Sequence, residues 1–235
     1  MTPVGPEIDP TPAQRPRRCT IEGQYVTLAP LDPAIHPDAL WNQTRGPEND
    51  QLWLYLFDGP FADRVAFQVN LEKKASSVDP LFLAILDKTS GTPAGYASFM
   101  RIEPEHGCIE VGSILFAPSL QRTRGATEAM YLMARHVFDD LGYRRYEWKC
   151  NALNEPSRRA ALRLGFTFEG IFRQHMIVKG RSRDTAWYSM LDGEWPARKL
   201  AFERWLDPSN FDDQDRQKSP LLIAGASTTR TPSLG

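Results

Sequence analysis

The sequence predicts a single α/β (α+β) domain built on a mixed, mostly antiparallel sheet, with a parallel pair at its centre and helices against its faces. Three observations predict it. The apolar runs between Leu81 and Phe116 are joined by connections too short for a crossover, so they pair antiparallel. The last of them, Cys108–Phe116, is followed by a segment of helical period and then by another strand-like run, and a strand, a crossover helix and a strand imply a parallel neighbour. At 235 residues, 41% of them apolar and 24% charged, the chain is long enough for one domain with a substantial core and short for two.

Taken in order, residues 1–18 carry Pro3, Pro6, Pro10, Pro12 and Pro16 together with Arg15, Arg17 and Arg18. That composition has too little apolar surface to offset ordering, and a mobile tail is predicted. The domain is expected over 19–215, and a second flexible tail over 216–235, where Ser, Thr and Pro gather. Tyr25–Leu28 alternates as a strand, and Pro37–Thr44 and Phe61–Ala75 have helical spacing. Leu81–Leu86 is a strand closed by the turn Asp87–Gly91; Gly95–Ile102 alternates, Glu105–Gly107 turns the chain, and Cys108–Phe116 is the next strand. Ala126–Leu141 then places Met130, Leu132, Met133, Val137 and Leu141 at helical spacing, with Gly142 as its stop. Tyr146–Cys150 is a strand and Glu155–Leu164 a helix that tolerates Pro156 in its first turn. Phe166–Lys179 and Thr185–Leu191 read as a hairpin whose loop is Gly180–Asp184.

Bulk chemistry excludes several functions. Lys and Arg number 28 against 29 Asp and Glu, a net charge of −1, so there is no electrostatic reason to expect nucleic acid as a partner. Cys19, Cys108 and Cys150 lack the paired spacing of a disulfide framework or a zinc site and read as reduced thiols. His36, His106 and His136 do not cluster with ligating residues, so no metal is expected. No apolar run suits a signal peptide or a membrane span, which makes the cytoplasm the default location and the membrane an unexpected partner.

The segment richest in chemistry is the strand-to-helix junction Phe116–Ala129. A strand end, a loop with Gly125 and small residues, and a helix start present unpaired backbone N–H groups that bind phosphate oxygens, and Arg122 and Arg124 add positive charge. Gln121, Ala126, Thr127, Glu128 and Ala129 match a loop that runs on into Ala-Thr-Glu-Ala. A second signature is Asn154-Glu155-Pro156-Ser157 leading through a helix to Leu164-Gly165-Phe166 and Glu169-Gly170. In these two segments the chain resembles the GNAT superfamily of N-acetyltransferases, and particularly the RimJ/RimL type. The departure is Arg124, which stands where the family usually has Gly, so its side chain must point away from the phosphates, with Gly125 beside it supplying flexibility instead.

The resemblance implies acetyl-CoA as co-substrate and a primary amine as acceptor, either a protein N-terminus or a small molecule. It implies a sheet splayed at its parallel pair to hold the acyl-CoA, with pantetheine lying along Ile114, Leu115 and Phe116 and an N–H at Ile114 or Leu115 directed at the thioester oxygen. The pyrophosphate would meet Gln121, Arg122, Thr123, Arg124, Gly125, Ala126 and Thr127, with Asn154 and Ser157 on the second helix. Glu110, on the strand entering the splay, is the expected base, and Ser157 the available hydroxyl for the departing thiolate, because the place of the Tyr acid in many relatives is taken by Ala161. Trp53 and Tyr55 resemble a RimJ/RimL subgroup segment, and with Arg173 and His175 they are the expected acceptor-site residues. Trp148 and Trp187 are read as core. Two alternatives stay open: a non-catalytic acyl-CoA-binding or sensing domain, and the same chemistry with a longer donor such as succinyl-CoA. Related proteins are often dimers, which makes a homodimer the assembly to test.

Overall fold

The structure, a computed structural model, describes residues 4–223. Its regular elements run β1 (Ile21–Glu22), β2 (Val26–Pro30), α1 (Pro37–Thr44), α2 (Asp50–Trp53), α3 (Arg64–Ser76), β3 (Leu81–Asp87), β4 (Pro93–Glu103), β5 (Cys108–Phe116), α4 (Arg124–Arg135), β6 (Arg145–Asn151), α5 (Glu155–Arg163), β7 (Thr167–Val178), β8 (Arg181–Leu191) and α6 (Trp195–Leu206). The strands form one sheet in the order β1-β2-β3-β4-β5-β6-β8-β7, antiparallel throughout except for the β5–β6 pair. The mixed sheet with a central parallel pair is therefore as the sequence predicts.

Alternation along the central strands feeds two cores. Leu83 and Ile85 of β3 point to one face with Ala97 and Phe99 of β4, under α4, α5 and α6; Phe82 and Ala84 point to the other with Tyr96, under α1–α3. The helix α4 begins where Thr123 Oγ1 accepts the Ala126 N–H at 3.1 Å, a side-chain cap that satisfies one of the first-turn donors. It is anchored by a buried carboxylate. Glu128 accepts the backbone N–H groups of Gln24, Tyr25 and Val26 at 2.7, 2.6 and 2.8 Å, pinning the helix to the β1–β2 turn.

The parallel pair is short, and its shortness makes the cleft. β5 and β6 are in register only from Cys108 opposite Arg145 to Val111 opposite Trp148, and beyond that point they part. The parting coincides with a bulge, since two residues of β5, Ser113 and Ile114, stand opposite the single Ala97 of β4, with Ser113 at φ 50. Gly112 sits at the bend against Met100, whose side chain would have to move for any Cβ there, since that atom would lie 2.4 Å from Met100 Sδ.

Several expected boundaries change. Residues 13–18 are docked rather than mobile: Ala13 and Gln14 donate to the carbonyls of Pro104 and Leu141, and Arg18 donates to the carbonyl of Ser77. The expected second tail is packed as far as the described residues reach, with Gln217 bridging to Phe211, Leu221 buried and Ile223 against the core; residues 224–235, like 1–3, lie outside the described residues. The helix predicted over Ala126–Leu141 starts at Arg124, and its last turn, His136–Asp140, widens to a π turn. The hairpin loop predicted at Gly180–Asp184 is only Lys179 and Gly180, both left-handed (φ 48 and 71) as two-residue hairpin turns require. Arg181–Asp184 therefore continues β8. The sequence reading assigned no element to Trp195–Leu206, which forms α6 with Phe202, Trp205 and Leu206 buried.

Candidate functional site: a cleft where the sheet parts

A cavity of about 1450 Å³ occupies the gap between β5 and β6, running from the start of α4 to the inner face of the β7–β8 hairpin. The end at α4 is built from backbone. Arg122 (φ 63), Thr123 and Arg124 line it, and the N–H groups of Arg122, Arg124 and Gly125 have no hydrogen-bond partner among the described residues, whereas that of Ala126 is spent on the cap. Arg159 and Arg163, four residues apart on α5, face the same end. The Arg163 guanidinium donates to Thr127 Oγ1 at 3.1 Å and lies over the Trp205 ring.

Along the middle, β5 offers an open edge. Ala117 N–H donates to Ala94 on the β4 side, so strand alternation turns the Leu115 N–H the same way and those of Ile114 and Phe116 into the gap. Leu115 buries its side chain in the second core. Across the gap, Ser157 Oγ accepts the Trp148 indole N–H at 3.0 Å, so its own proton is available to a further acceptor, with Cys150 beside it; Asn154 caps α5 by accepting the Ser157 N–H. Toward the middle of the cleft α5 and its end present Ser157, Ala160 and Leu164, while Ala161 is sealed in the core, so Ser157 supplies the hydroxyl there among the described residues.

The far end is built from charge. Glu110 is 3% exposed, and its Oε2 accepts from Arg101 Nη1 at 2.7 Å and lies 3.0 Å from Lys149 Nζ. Lys149 also meets Glu147 at 2.6 Å and sits 3.8 Å over the Trp187 ring. Oε1 of Glu110 has no partner among the described residues and lies beside Gly112, where the strands part. Burial pushes the Glu110 carboxyl up, and the Lys149 and Arg101 charges only partly offset it. His175 Nδ1 is 3.0 Å from Thr185 Oγ1, and burial together with Arg101, Arg183 and Lys149 holds the ring below the usual imidazole range. Tyr55 roofs the cleft, its hydroxyl donating to the Leu153 carbonyl at 3.1 Å, and Lys179 from the hairpin tip donates to the carbonyls of Trp53 and Asp58.

Most residues singled out from sequence thus meet around one cavity: Glu110, Ile114–Phe116, Gln121–Arg124, Ala126, Thr127, Asn154, Ser157, Tyr55 and His175. Three do not. Gly125 faces away, because a Cβ there would lie 2.8 Å from Val26 Cγ1; it serves close helix–strand packing rather than loop flexibility, although its N–H stays available. Trp53 is 2% exposed in the second core, since the single turn of α2 directs it inward and Leu52 and Tyr55 to the cleft. Arg173 is turned to solvent by the irregular pairing between Phe172 and Met176, which leaves 173–175 opposite one residue of β8. Trp187 is half-buried rather than core, its ring tilted against that of Phe172 with centroids 4.4 Å apart. Arg124 points away from the loop as expected, over the rings of Tyr25 and Phe211 and onto Asp215. Sequence reasoning missed Arg101, Lys149, Arg159, Arg163 and Arg183; the spacing of Arg159 and Arg163 on one helix face was the only local signal among them. Among the described residues, no group of three His, Cys, Asp or Glu side chains is placed to hold a metal, and no helix is long and apolar enough to cross a membrane.

A family profile for the acetyltransferase (GNAT) domain matches residues 28–167. The crystal structure of a GCN5-related N-acetyltransferase from Brucella melitensis is 52% identical, with a TM-score of 0.88 over 90% of this chain and 96% of that one. The N-acetyltransferase YoaA of Bacillus subtilis is 31% identical over 97 residues, 41% of this chain and 54% of YoaA, so the chain spans about half the length of that curated relative. The microcin C7 self-immunity acetyltransferase MccE, solved in complex with acetyl-CoA and AMP, shares the fold at 22% identity and a TM-score of 0.63 over 72% of this chain and 93% of that one. The profile match over residues 28–167 defines the class as acetyltransferases. Within it, the chain belongs to the GNAT family.

Proposed function

We propose that the protein transfers the acetyl group of acetyl-CoA directly to a primary amine, with both substrates bound in the cleft. The donor's phosphates would meet the free amides of Arg122, Arg124 and Gly125 with Arg159 and Arg163, and its pantetheine amides the open edge at Ile114 and Phe116. The Ile114 N–H is then the donor nearest the thioester oxygen as it gains charge, a contribution of about a hundredfold or more in rate where such a donor has been removed. Arg124 does not obstruct this arrangement, since its side chain is held away by Tyr25, Phe211 and Asp215.

The observation that carries the reading is Glu110. One oxygen is tied by two cations and the other is untied at the mouth of the splay, and burial raises the affinity of the carboxylate for a proton. As the amine nitrogen bonds to the acetyl carbon, its proton passes to Oε1, directly or through water; the carbon–sulfur bond breaks, and the Ser157 hydroxyl stabilises or protonates the thiolate. The acceptor is a small-molecule amine or a protein N-terminus. Glu110→Gln keeps the size and the hydrogen bond from Arg101 but cannot take a proton. Steady-state thiol release should fall about a hundredfold or more while the Kd for coenzyme A is unchanged. Turnover at the wild-type rate on the preferred acceptor would remove Glu110 from the mechanism.

A further inference from the structure

Arg183 has no use in that mechanism, yet it is built into the cleft at a cost. It lies on β8 with 6% exposure and lines the acceptor end. Its guanidinium lies 5.3 Å from the Phe57 ring, and its Nε donates to Thr185 Oγ1 at 3.2 Å. No carboxylate lies within ion-pair distance of it among the described residues. The nearby Glu110 has its Oε2 committed to Arg101 and Lys149, and Glu147 is committed to Lys149 and Arg145, the latter also held by Glu169. Four cations, Arg101, Arg145, Lys149 and Arg183, therefore share three carboxylates, and Arg183 is the one with none in reach among the described residues. A buried guanidinium without a counter-ion is unfavourable unless something else supplies the negative charge.

The hydrogen bonds extend the pattern. Arg183 Nε–H donates to Thr185 Oγ1, and the same oxygen lies 3.0 Å from His175 Nδ1, so the three side chains form one chain of hydrogen bonds at the acceptor end. Where the threonine proton is the one shared with Nδ1, the neutral ring carries its own hydrogen at Nε2. In that tautomer His175 offers a hydrogen to an anion rather than a basic nitrogen to the amine.

The geometry points to an acceptor amine that carries an acidic group, a carboxylate or a phosphate, within a few bonds of its nitrogen, held by Arg183 and the Nε2–H of His175 while the nitrogen faces Glu110. This inference rests on the acetyl-transfer reading and narrows it to an amino acid or a phosphorylated amine. Leu52, Tyr55 and Phe57 line the same end and suit an apolar side chain on the acceptor.

The test uses matched pairs with acetyl-CoA and the full chain: L-methionine against L-methioninamide, and O-phosphoethanolamine against ethanolamine. The amide has the less basic amine, so chemistry without recognition favours it. The expected result is that the acid member of at least one pair has kcat/KM about a hundredfold higher, the pair identifying carboxylate or phosphate. The ratio should fall to near one in Arg183→Met and by a smaller factor in His175→Ala, a variant at an exposed residue that leaves the core intact. Calorimetry runs beside it, titrating N-acetyl-L-methionine, its amide and N-acetyl-phosphoethanolamine into enzyme saturated with coenzyme A. Tighter binding of an acid product than of the amide by about tenfold supports the inference even if no amine is acetylated, an outcome that would sink the transfer reading alone. Equal binding of acid and neutral products, or equal use of neutral amines and neutral peptide N-termini, overturns it.

Discussion

At the start of α4 the cleft is lined by free backbone amides and small residues drawn from one stretch of seven positions, 121–127, whereas at the other end it is lined by charged side chains from four strands. Arg101 comes from β4, Glu110 from β5, Lys149 from β6 and Arg183 from β8. The first arrangement, read as the proposed phosphate site, would act through backbone geometry that any side chains compatible with the turn can supply. The second is specific because its charges are set against one another from different strands, with Arg183 left without a carboxylate among the described residues. The two ends should therefore fail separately, and variants that damage both would break the distinction.

The largest effect is expected at Glu128. Its carboxylate accepts three backbone N–H groups of the β1–β2 turn, and Glu128→Ala leaves all three short of a partner. The expected loss is about 3 kcal/mol, or roughly 6–12 °C in Tm for a domain of this size, read by thermal or urea denaturation. Coenzyme A affinity should fall with it because α4 loses its anchor, while the preference among acceptors that still turn over should not change. A changed acceptor preference would mean that the two ends are mechanically coupled.

A smaller effect separates two explanations of Gly125. If the glycine is there because β2 approaches closely, Gly125→Ala overpacks against Val26, an effect of about 1–3 kcal/mol that the better helix propensity of Ala offsets by about 1. A double-mutant cycle with Val26→Ala should then show a coupling of about 1 kcal/mol. Strict additivity would return Gly125 to a role in loop flexibility.

The same contrast explains what could be read from sequence. The end at α4 was legible as geometry because its residues are contiguous and the local pattern, strand end, small residues, capped helix, is itself the proposed binding device. The parallel pair was legible because a crossover helix of 3.6 period lies between two strand-like runs. Glu110 could be placed because it precedes Gly112 on a strand, but Arg101 and Lys149 acquire meaning only when β4 and β6 flank β5. Arg183 was hidden for a local reason: Gly180-Arg-Ser-Arg-Asp has the composition of a loop, and only the left-handed Lys179–Gly180 turn shows that the strand resumes at Arg181. Trp53 misled because a one-turn helix has no periodicity from which to tell its inward side.

The smallest effect expected is a pH dependence that assigns the acceptor end its titrating group. The Glu110 carboxyl is raised above its ordinary 4.5 by burial, against the opposing Lys149 and Arg101 charges, and Arg183 and His175 stand on the remaining side of the cleft. Between 4.5 and the raised value, the folded protein holds a proton at this site that the unfolded chain has released. Glu110 therefore favours folding below 4.5 and loses that contribution as the pH rises through the folded value. Glu169, held low by Arg145, works in the opposite sense: its contribution is present above 4.5 and fades as the pH falls. Subtracting Glu110→Gln from wild type cancels Glu169 and every other shared group. The difference in urea-derived stability should decline with rising pH across the Glu110 window and then level off, while wild-type turnover climbs across the same window as the base becomes free. A difference that is flat with pH, or that rises, would mean that Lys149 and Arg101 outweigh burial, leaving a carboxylate too weakly basic for the role assigned to it.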